Sequence, residues 1–177
     1  MKSLKLLLVL ILLGCCHQKS LAQDTLQWSS KTKLQWANFL GRADTNSRYT
    51  STTVAGINYT VRHNSKTFSF AVTAVFYKNK SWAKSGNSDY LLQHEQAHFD
   101  LTEIYARKLR LAFRNYIFSN PATLEKDLDR IAEGIRKERN KVNRQYDVET
   151  NSSVNTRKQF YWFNKIANEL HQLDAYQ

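Results

Sequence analysis

The residues best suited to chemistry are the two histidines and the glutamate of the run His94-Glu95-Gln96-Ala97-His98. In an α-helix, residues four apart lie on one face, so both imidazoles can reach the same metal ion. Imidazole nitrogen suits Zn²⁺, and catalytic zinc sites keep one position open for water. Glu95 is rotated by about 100° from His94 and can accept the proton of that water. The spacing therefore predicts a zinc-dependent hydrolase with His94 and His98 as ligands and Glu95 as general base.

The side of the helix that carries both histidines is otherwise apolar, which favours a metal site over a chance match. The residues that share this side are Leu91, Leu101, Tyr105, Leu109 and Ala112. Imidazoles buried in such a stripe need partners, because unpaired buried polar groups are costly. Asp100 falls on the opposite face, as do Glu103 and Arg107, which we expect to form a solvated surface ion pair.

The elements around the motif indicate an α+β domain. Alternating apolar residues predict a β-hairpin over residues 53–77. A helix without Gly or Pro is predicted from Asp89 to about Phe118, and Asn120-Pro121 ends it and starts a second helix. A third helix is predicted from about Asn155 to Leu173. The expected fold is a small antiparallel sheet, a long helix bearing the motif, an antiparallel second helix and a C-terminal helix.

A third protein ligand must come from the second helix or from the chain just beyond it. If the two long helices form a hairpin that turns near residue 120, position n faces a position of about 240 minus n. His94 then faces Tyr146, and the nearest carboxylates are Asp147 and Glu149. Tyr146 is either a donor to a developing oxyanion or a core residue.

The N-terminus predicts export. Residues 1–22 combine Lys2 and Lys5 with the apolar run 6–13, which is typical of a signal peptide and too short to span a bilayer. Cleavage after Ala22 would leave one mature domain, residues 23–177, in the periplasm or outside the cell. The alternative is a lipoprotein cut before Cys15, which is the only route to membrane attachment that we expect.

The net charge of +11 gives no reason to expect nucleic-acid binding. Three of the lysines lie in the predicted leader, so the mature domain carries 11 − 3 = +8. Both cysteines also lie in the leader, so after cleavage at Ala22 a hydrophobic core must stabilise the fold without disulfides. The partner we expect is a peptide or protein substrate.

Five stretches resemble one bacterial family of secreted zinc-dependent peptidases, grouped as domain of unknown function 922. They are LQWANFLGRAD (34–44), KSWAK (80–84), LLQHEQAHFDLTEIYARKLR (91–110), QYDVETN (145–151) and residues 159–162. The resemblance implies a zincin-like site with His94 and His98 as zinc ligands and Glu95 as base.

One position departs from that family. The family has a histidine directly after the Thr-Asn pair as its natural third ligand, whereas this chain has Ser152 followed by Ser153. Asp147 or Glu149 then substitutes, or the site holds metal weakly, or activity has been lost. The alternatives to an active peptidase are therefore a catalytically degenerate zincin-like scaffold and an envelope module without activity. The envelope module would bind anionic polymer through basic residues and through Trp82, Tyr161 and Trp162.

Overall fold

The computed structural model describes residues 24–177, which form a small antiparallel sheet followed by three helices. The strands are β1 (Thr25–Gln27), β2 (Ser51–Thr52), β3 (Ala55–His63), β4 (Phe68–Tyr77) and β5 (Trp82–Ala83). The helices are α1 (Asp89–Arg114), α2 (Pro121–Thr150) and α3 (Thr156–Gln172). Two short 3₁₀ turns cover Trp36–Asn38 and Asp174–Tyr176. The predicted α+β class is confirmed. The predicted leader, residues 1–22 with Cys15, lies outside the described residues.

The predicted hairpin is the centre of the main sheet. β3 and β4 pair in antiparallel register from Ala55 opposite Phe76 to His63 opposite Phe68. β1 adds to the other edge of β4, which gives the order β1-β4-β3. β2 and β5 form a separate two-stranded pair, and this pair carries Ser51 close to the helices.

The helix boundaries follow the capping residues. The Ser88 side chain accepts from the backbone N–H of Leu91, so α1 starts where the sequence predicts. It ends at Arg114, four residues before the predicted Phe118. Asn120 caps α2, and Pro121 occupies its first turn, where a missing N–H costs nothing.

α1 is the central element of the domain, because β3, β4, α2 and α3 all contact it. Its apolar residues form the core together with aromatic side chains from the sheet and from α2 and α3. The largest fully buried apolar side chains are Trp162, Tyr146, Phe76, Phe99, Phe113, Ile104 and Leu109. None of the helices in residues 24–177 is both long enough and apolar enough to cross a membrane.

The expected surface ion pair of α1 is buried instead, so that prediction was wrong. Glu103 and Arg107 are each about 1% exposed, and Arg107 Nε lies 3.0 Å from Glu103 Oε1. Arg107 also donates to the carbonyl of Leu170 at 2.7 Å and to Asp174 at 2.8 Å. The reason is that the end of α3 and the final turn cover this face of α1.

Candidate metal centre

Three side chains from α1 and α2 converge on one point: His94, His98 and Asp147, together called the metal centre below. Nε2 of His94 lies 3.2 Å from Asp147 Oδ1, and Nε2 of His98 lies 3.0 Å from the same oxygen. The two Nε2 atoms are 3.3 Å apart. The predicted helical hairpin is what brings them together, since His94 and His98 lie one turn apart on α1 and Asp147 approaches from α2.

The spacing of these three atoms fits a single small cation. Nitrogen and oxygen ligands arranged tetrahedrally at 2.0–2.2 Å from one ion lie about 3.3–3.6 Å from one another. The observed separations of 3.0, 3.2 and 3.3 Å are close to the short end of that range. The group could therefore hold a metal ion. The Asp147 side chain is 42% exposed, so one side of the centre is open to solvent.

Hydrogen bonds at the far side of each imidazole fix which nitrogen carries the proton. Nδ1–H of His94 donates to the Gln159 amide oxygen at 2.8 Å, and Nδ1–H of His98 donates to the Asn143 amide oxygen at 2.9 Å. Each neutral imidazole then presents only a lone pair at Nε2. Two lone pairs and a carboxylate oxygen face one another, an arrangement that needs a cation between them.

Without a metal, a proton is the competing cation. Burial by itself would lower the pKa of His98, but the hydrogen bond to Asp147 and its negative charge outweigh burial and raise that pKa. Burial by itself would raise the pKa of Asp147, but hydrogen bonds from His94 and His98 hold it well below its usual range. Both shifts favour an ion pair of imidazolium and carboxylate in the metal-free protein.

Tyr146 belongs to the core rather than to the reacting groups. It is fully buried, and its ring stacks on His94 at 4.6 Å between centroids. Its hydroxyl accepts from the amide of Gln159 and lies 3.4 Å from the carbonyl of His94. The role of oxyanion donor is therefore wrong for Tyr146, because its hydroxyl points into the interior.

Of the two carboxylates left open by the sequence, only Asp147 reaches the centre. Both oxygens of Glu149 are held elsewhere: Oε1 accepts from Gln145 at 2.7 Å, and Oε2 accepts from Trp162 Nε1 at 3.1 Å. Asp100 also lies away from the centre, because Trp28 Nε1 donates to it at 2.7 Å. Trp162 is fully buried, which removes it from the surface aromatics that polymer binding would use.

Glu95 is buried beside the metal centre, and only one of its two carboxylate oxygens accepts a hydrogen bond within the described residues. Its exposed fraction is 3%, and its Oε1 accepts from the Ser51 hydroxyl at 2.6 Å. Its Oε2 is buried and has no hydrogen-bond partner in the described part of the chain. A buried carboxylate oxygen without a donor is costly, and it remains available to accept a proton.

The centre opens into a cavity of about 730 Å³, called the cleft below. Its lining includes the segment 48–55, which contains β2, and residues of α1 and α2. The loop 151–154 also lines it. Asn151, Ser152 and Ser153 in this loop all have positive φ, at 47°, 49° and 77°, a conformation that non-glycine residues rarely adopt. Ser152, which stands where the resembling family has a histidine, lines the cleft.

Three residues that complete the site were not predicted as site residues. Asn143 lies four residues before Asp147 and so on the same face of α2, a signal that the sequence does contain. Gln159 falls within the family stretch 159–162, but nothing local points it at His94. Ser51 has no local signal at all, because the pairing of β2 with β5 brings it to Glu95.

One family model matches this chain. It is described as a bacterial protein of unknown function (DUF922), and it matches residues 23–153. No curated protein and no solved structure matches the chain. The matched range includes the whole metal centre and Glu95, but it ends before α3.

Proposed function

We propose that this chain, which belongs to the DUF922 family of bacterial proteins of unknown function, is an exported zinc-dependent hydrolase of zincin type. The observation that carries the proposal is the spacing of three lone-pair atoms at 3.0–3.3 Å beside a buried carboxylate. A structural zinc site has four protein ligands, whereas catalytic sites have three and an open position. Three candidate metal ligands and a side open to solvent therefore support a catalytic rather than a purely structural role for the metal ion.

The chain's own residues divide the work. His94, His98 and Asp147 would hold the zinc ion through the atoms that already face one another. Zinc bound in this way supplies Lewis acidity, polarising a carbonyl and lowering the pKa of a water molecule to about 7. Asn143 and Gln159 fix the imidazole tautomers, so that the Nε2 lone pairs need no rearrangement to bind the ion.

Glu95 is the proton acceptor in this proposal. Its free Oε2 takes a proton from the attacking water and returns it to the leaving group. Ser51 holds the other oxygen, Oε1, and thereby fixes the orientation of the carboxylate. Burial of Glu95 keeps bulk water from competing for the free oxygen.

The substrate class we propose is a peptide or protein. The cleft has a volume of about 730 Å³, within the usual range for ligand pockets, and its wall at 48–55 carries the short strand β2 against which an extended chain could lie. The predicted leader, residues 1–22, supports action in the periplasm or outside the cell. Attachment to a membrane would follow only if Cys15 were lipidated.

The test is zinc analysis joined to hydrolysis of casein by the purified protein. We expect zinc-dependent hydrolysis, and we expect Glu95→Gln to keep its zinc while activity falls by about 10²–10⁴-fold. Glu149→Gln is the matched control, because Glu149 is a carboxylate of the same helical hairpin that does not touch the centre. Full hydrolysis by Glu95→Gln would refute the assignment of the base.

A metal-binding scaffold without activity is the second candidate, and Ser152 is the observation that favours it. This residue lines the cleft where the resembling family has a histidine. If the chain is a degenerate scaffold, Ser152→His should tighten zinc binding and create hydrolysis that the natural chain lacks. No gain in zinc affinity, together with hydrolysis by the natural chain, would rule the scaffold out.

A further inference from the structure

Three arginines line the cleft, and this charge is more than the metal centre needs. They are Arg48, Arg139 and Arg144. Among residues 24–177, the acidic residues that line the cleft are Glu95 and Asp147. Asp147 belongs to the metal centre, and Glu95 is bonded to Ser51. A bound divalent cation would add two more positive charges. The cleft is therefore a site of positive potential, which attracts and orients anions.

Arg139 is the most buried of these three arginines. It lies half-buried on α2, where its Nη1 donates to the Ala55 carbonyl at 2.6 Å and to Thr102 Oγ1 at 3.3 Å. Its Nη2 donates to Asn140 at 2.7 Å, and its Nε is buried without a partner among residues 24–177. Burial, and secondarily the positive charge of Arg136, lower the pKa of Arg139. No carboxylate pairs with Arg139 in the described range, and residues 1–23 contain no Asp or Glu.

Arg107 and Arg110 of α1, which also lie at least partly buried, are paired with carboxylates instead. Arg107 pairs with Glu103 and Asp174, and Arg110 pairs with Glu103 at 2.8 Å. In those places the fold supplies carboxylates, because an unpaired buried charge is expensive. At Arg139, beside the cleft, it supplies only neutral oxygens. The missing carboxylate can come from a ligand.

We propose that Arg139, assisted by the exposed Arg144, binds a carboxylate of the substrate, so that the hydrolase acts on acidic peptides. The inference rests on the proposed function for its substrate being a peptide. The Arg139 guanidinium keeps its positive charge without a carboxylate partner in the described residues, and such a group pairs with a ligand carboxylate by a short charge-assisted hydrogen bond. Arg139 and the metal centre line the same cleft. The carboxylate is either an acidic side chain or the C-terminus of the peptide.

The experiment measures peptide binding to Glu95→Gln, which should hydrolyse the peptide only very slowly, by fluorescence anisotropy with and without zinc. Three labelled hexapeptides separate the two sources of carboxylate. The first has a central Glu and an amidated C-terminus, the second has Gln and a free C-terminus, and the third has Gln and an amidated C-terminus. We expect one of the charged peptides to bind at least about tenfold more tightly than the neutral one. We also expect this preference to weaken as salt is added.

Variants assign the preference to the arginines. Arg139→Gln should abolish it, and Arg144→Gln should reduce it by about two- to fivefold, because Arg144 is exposed. Lys141→Gln is the control, since it removes the same charge from an exposed position on the same helix outside the cleft. Arg144→Gln decides the matter if Arg139→Gln fails to fold, because Arg144 is exposed and its replacement should leave the core intact.

Equal binding of all three peptides, no binding of any, or an equal effect of Lys141→Gln would overturn the inference. The failure of the proposed function would look different. If the protein prefers a charged peptide through Arg139 but carries no zinc and hydrolyses nothing, the carboxylate-binding site is supported and the proposed hydrolase is refuted.

Discussion

Gln159 offers a sharp test, because one buried side chain connects the metal centre to α3. Its amide oxygen accepts the Nδ1–H of His94 at 2.8 Å, and its amide nitrogen donates to the Tyr146 hydroxyl. Gln159 is fully buried, so no water can replace either bond. We consider Gln159→Met, which keeps a similar volume and removes both polar groups.

The magnitude follows from what is left unpaired. The Nδ1–H of His94, which is 3% exposed, would lose its acceptor, and a buried donor without a partner costs about 1–3 kcal/mol. For a domain of this size that corresponds to a fall in Tm of about 2–12 °C. Loss of an outer hydrogen bond to a metal-binding histidine also weakens metal binding by about 10–100-fold. In free energy this is about 1.4–2.7 kcal/mol.

The assays are calorimetry for Tm and competition with a chromophoric chelator for zinc affinity. Gln145→Met is the matched control, because Gln145 is exposed and its side chain donates to Glu149, away from the metal centre. It should change stability by less than about 0.5 kcal/mol and leave zinc affinity unchanged. Gln159→Glu, which can still accept from His94, should retain zinc. If Gln159→Met bound zinc as tightly as the natural protein, the argument from the imidazole tautomer would be refuted.

Three other predictions concern the base, the buried ion pairs and pH. Ser51→Ala should lower hydrolysis without lowering zinc affinity, whereas Ser81→Ala, which also removes a buried hydroxyl, should cost stability alone; equal activity of the two variants would contradict this. Glu103→Leu should destabilise the fold by about 3–5 kcal/mol in urea titrations, because Arg107 and Arg110 both lose the buried carboxylate with which they pair and Arg107 retains the exposed Asp174; a loss below about 1 kcal/mol would be inconsistent with the burial. In the metal-free protein, the pKa of His98 is raised above the value of about 6.5 that it has in the unfolded chain. The ion pair of His98 with Asp147 therefore stabilises the fold fully below a pH of about 6.5. This stabilisation is lost as the pH rises through the pKa of His98 in the folded protein. Zinc occupancy must run the opposite way and fall with decreasing pH, since protons compete for the same nitrogens; parallel pH profiles with and without chelator would contradict both statements.

The helical hairpin could be predicted because it depends on local signals. Asn120-Pro121 marks the turn, and equal rise along two antiparallel helices then places Tyr146 opposite His94. In the structure these two rings stack at 4.6 Å. The same geometry restricted the third metal ligand to two carboxylates, Asp147 and Glu149. Their positions around the axis of α2 decide between them, since Asp147 contacts His94 of α1 and Glu149 contacts Trp162 of α3.

The errors come from contacts between distant parts of the chain. Glu103 and Arg107 have the spacing of a surface pair, and only the packing of α3 and the last turn against α1 buries them. Ser51 lies 44 residues before Glu95, on a two-residue strand too short to give a period. A sequence pattern reports which face of an element is apolar, but not which later segment will cover the polar face.

Whether His94, His98 and Asp147 hold one zinc ion is decided by the zinc content of the purified protein and of its variants at saturating metal. We expect one zinc per chain in the natural protein and in Glu149→Ala, and loss of that zinc in His94→Ala and Asp147→Ala. A natural protein that carries no zinc, or an Asp147→Ala variant that binds zinc as tightly as the natural protein, would show that these three side chains do not form a zinc site.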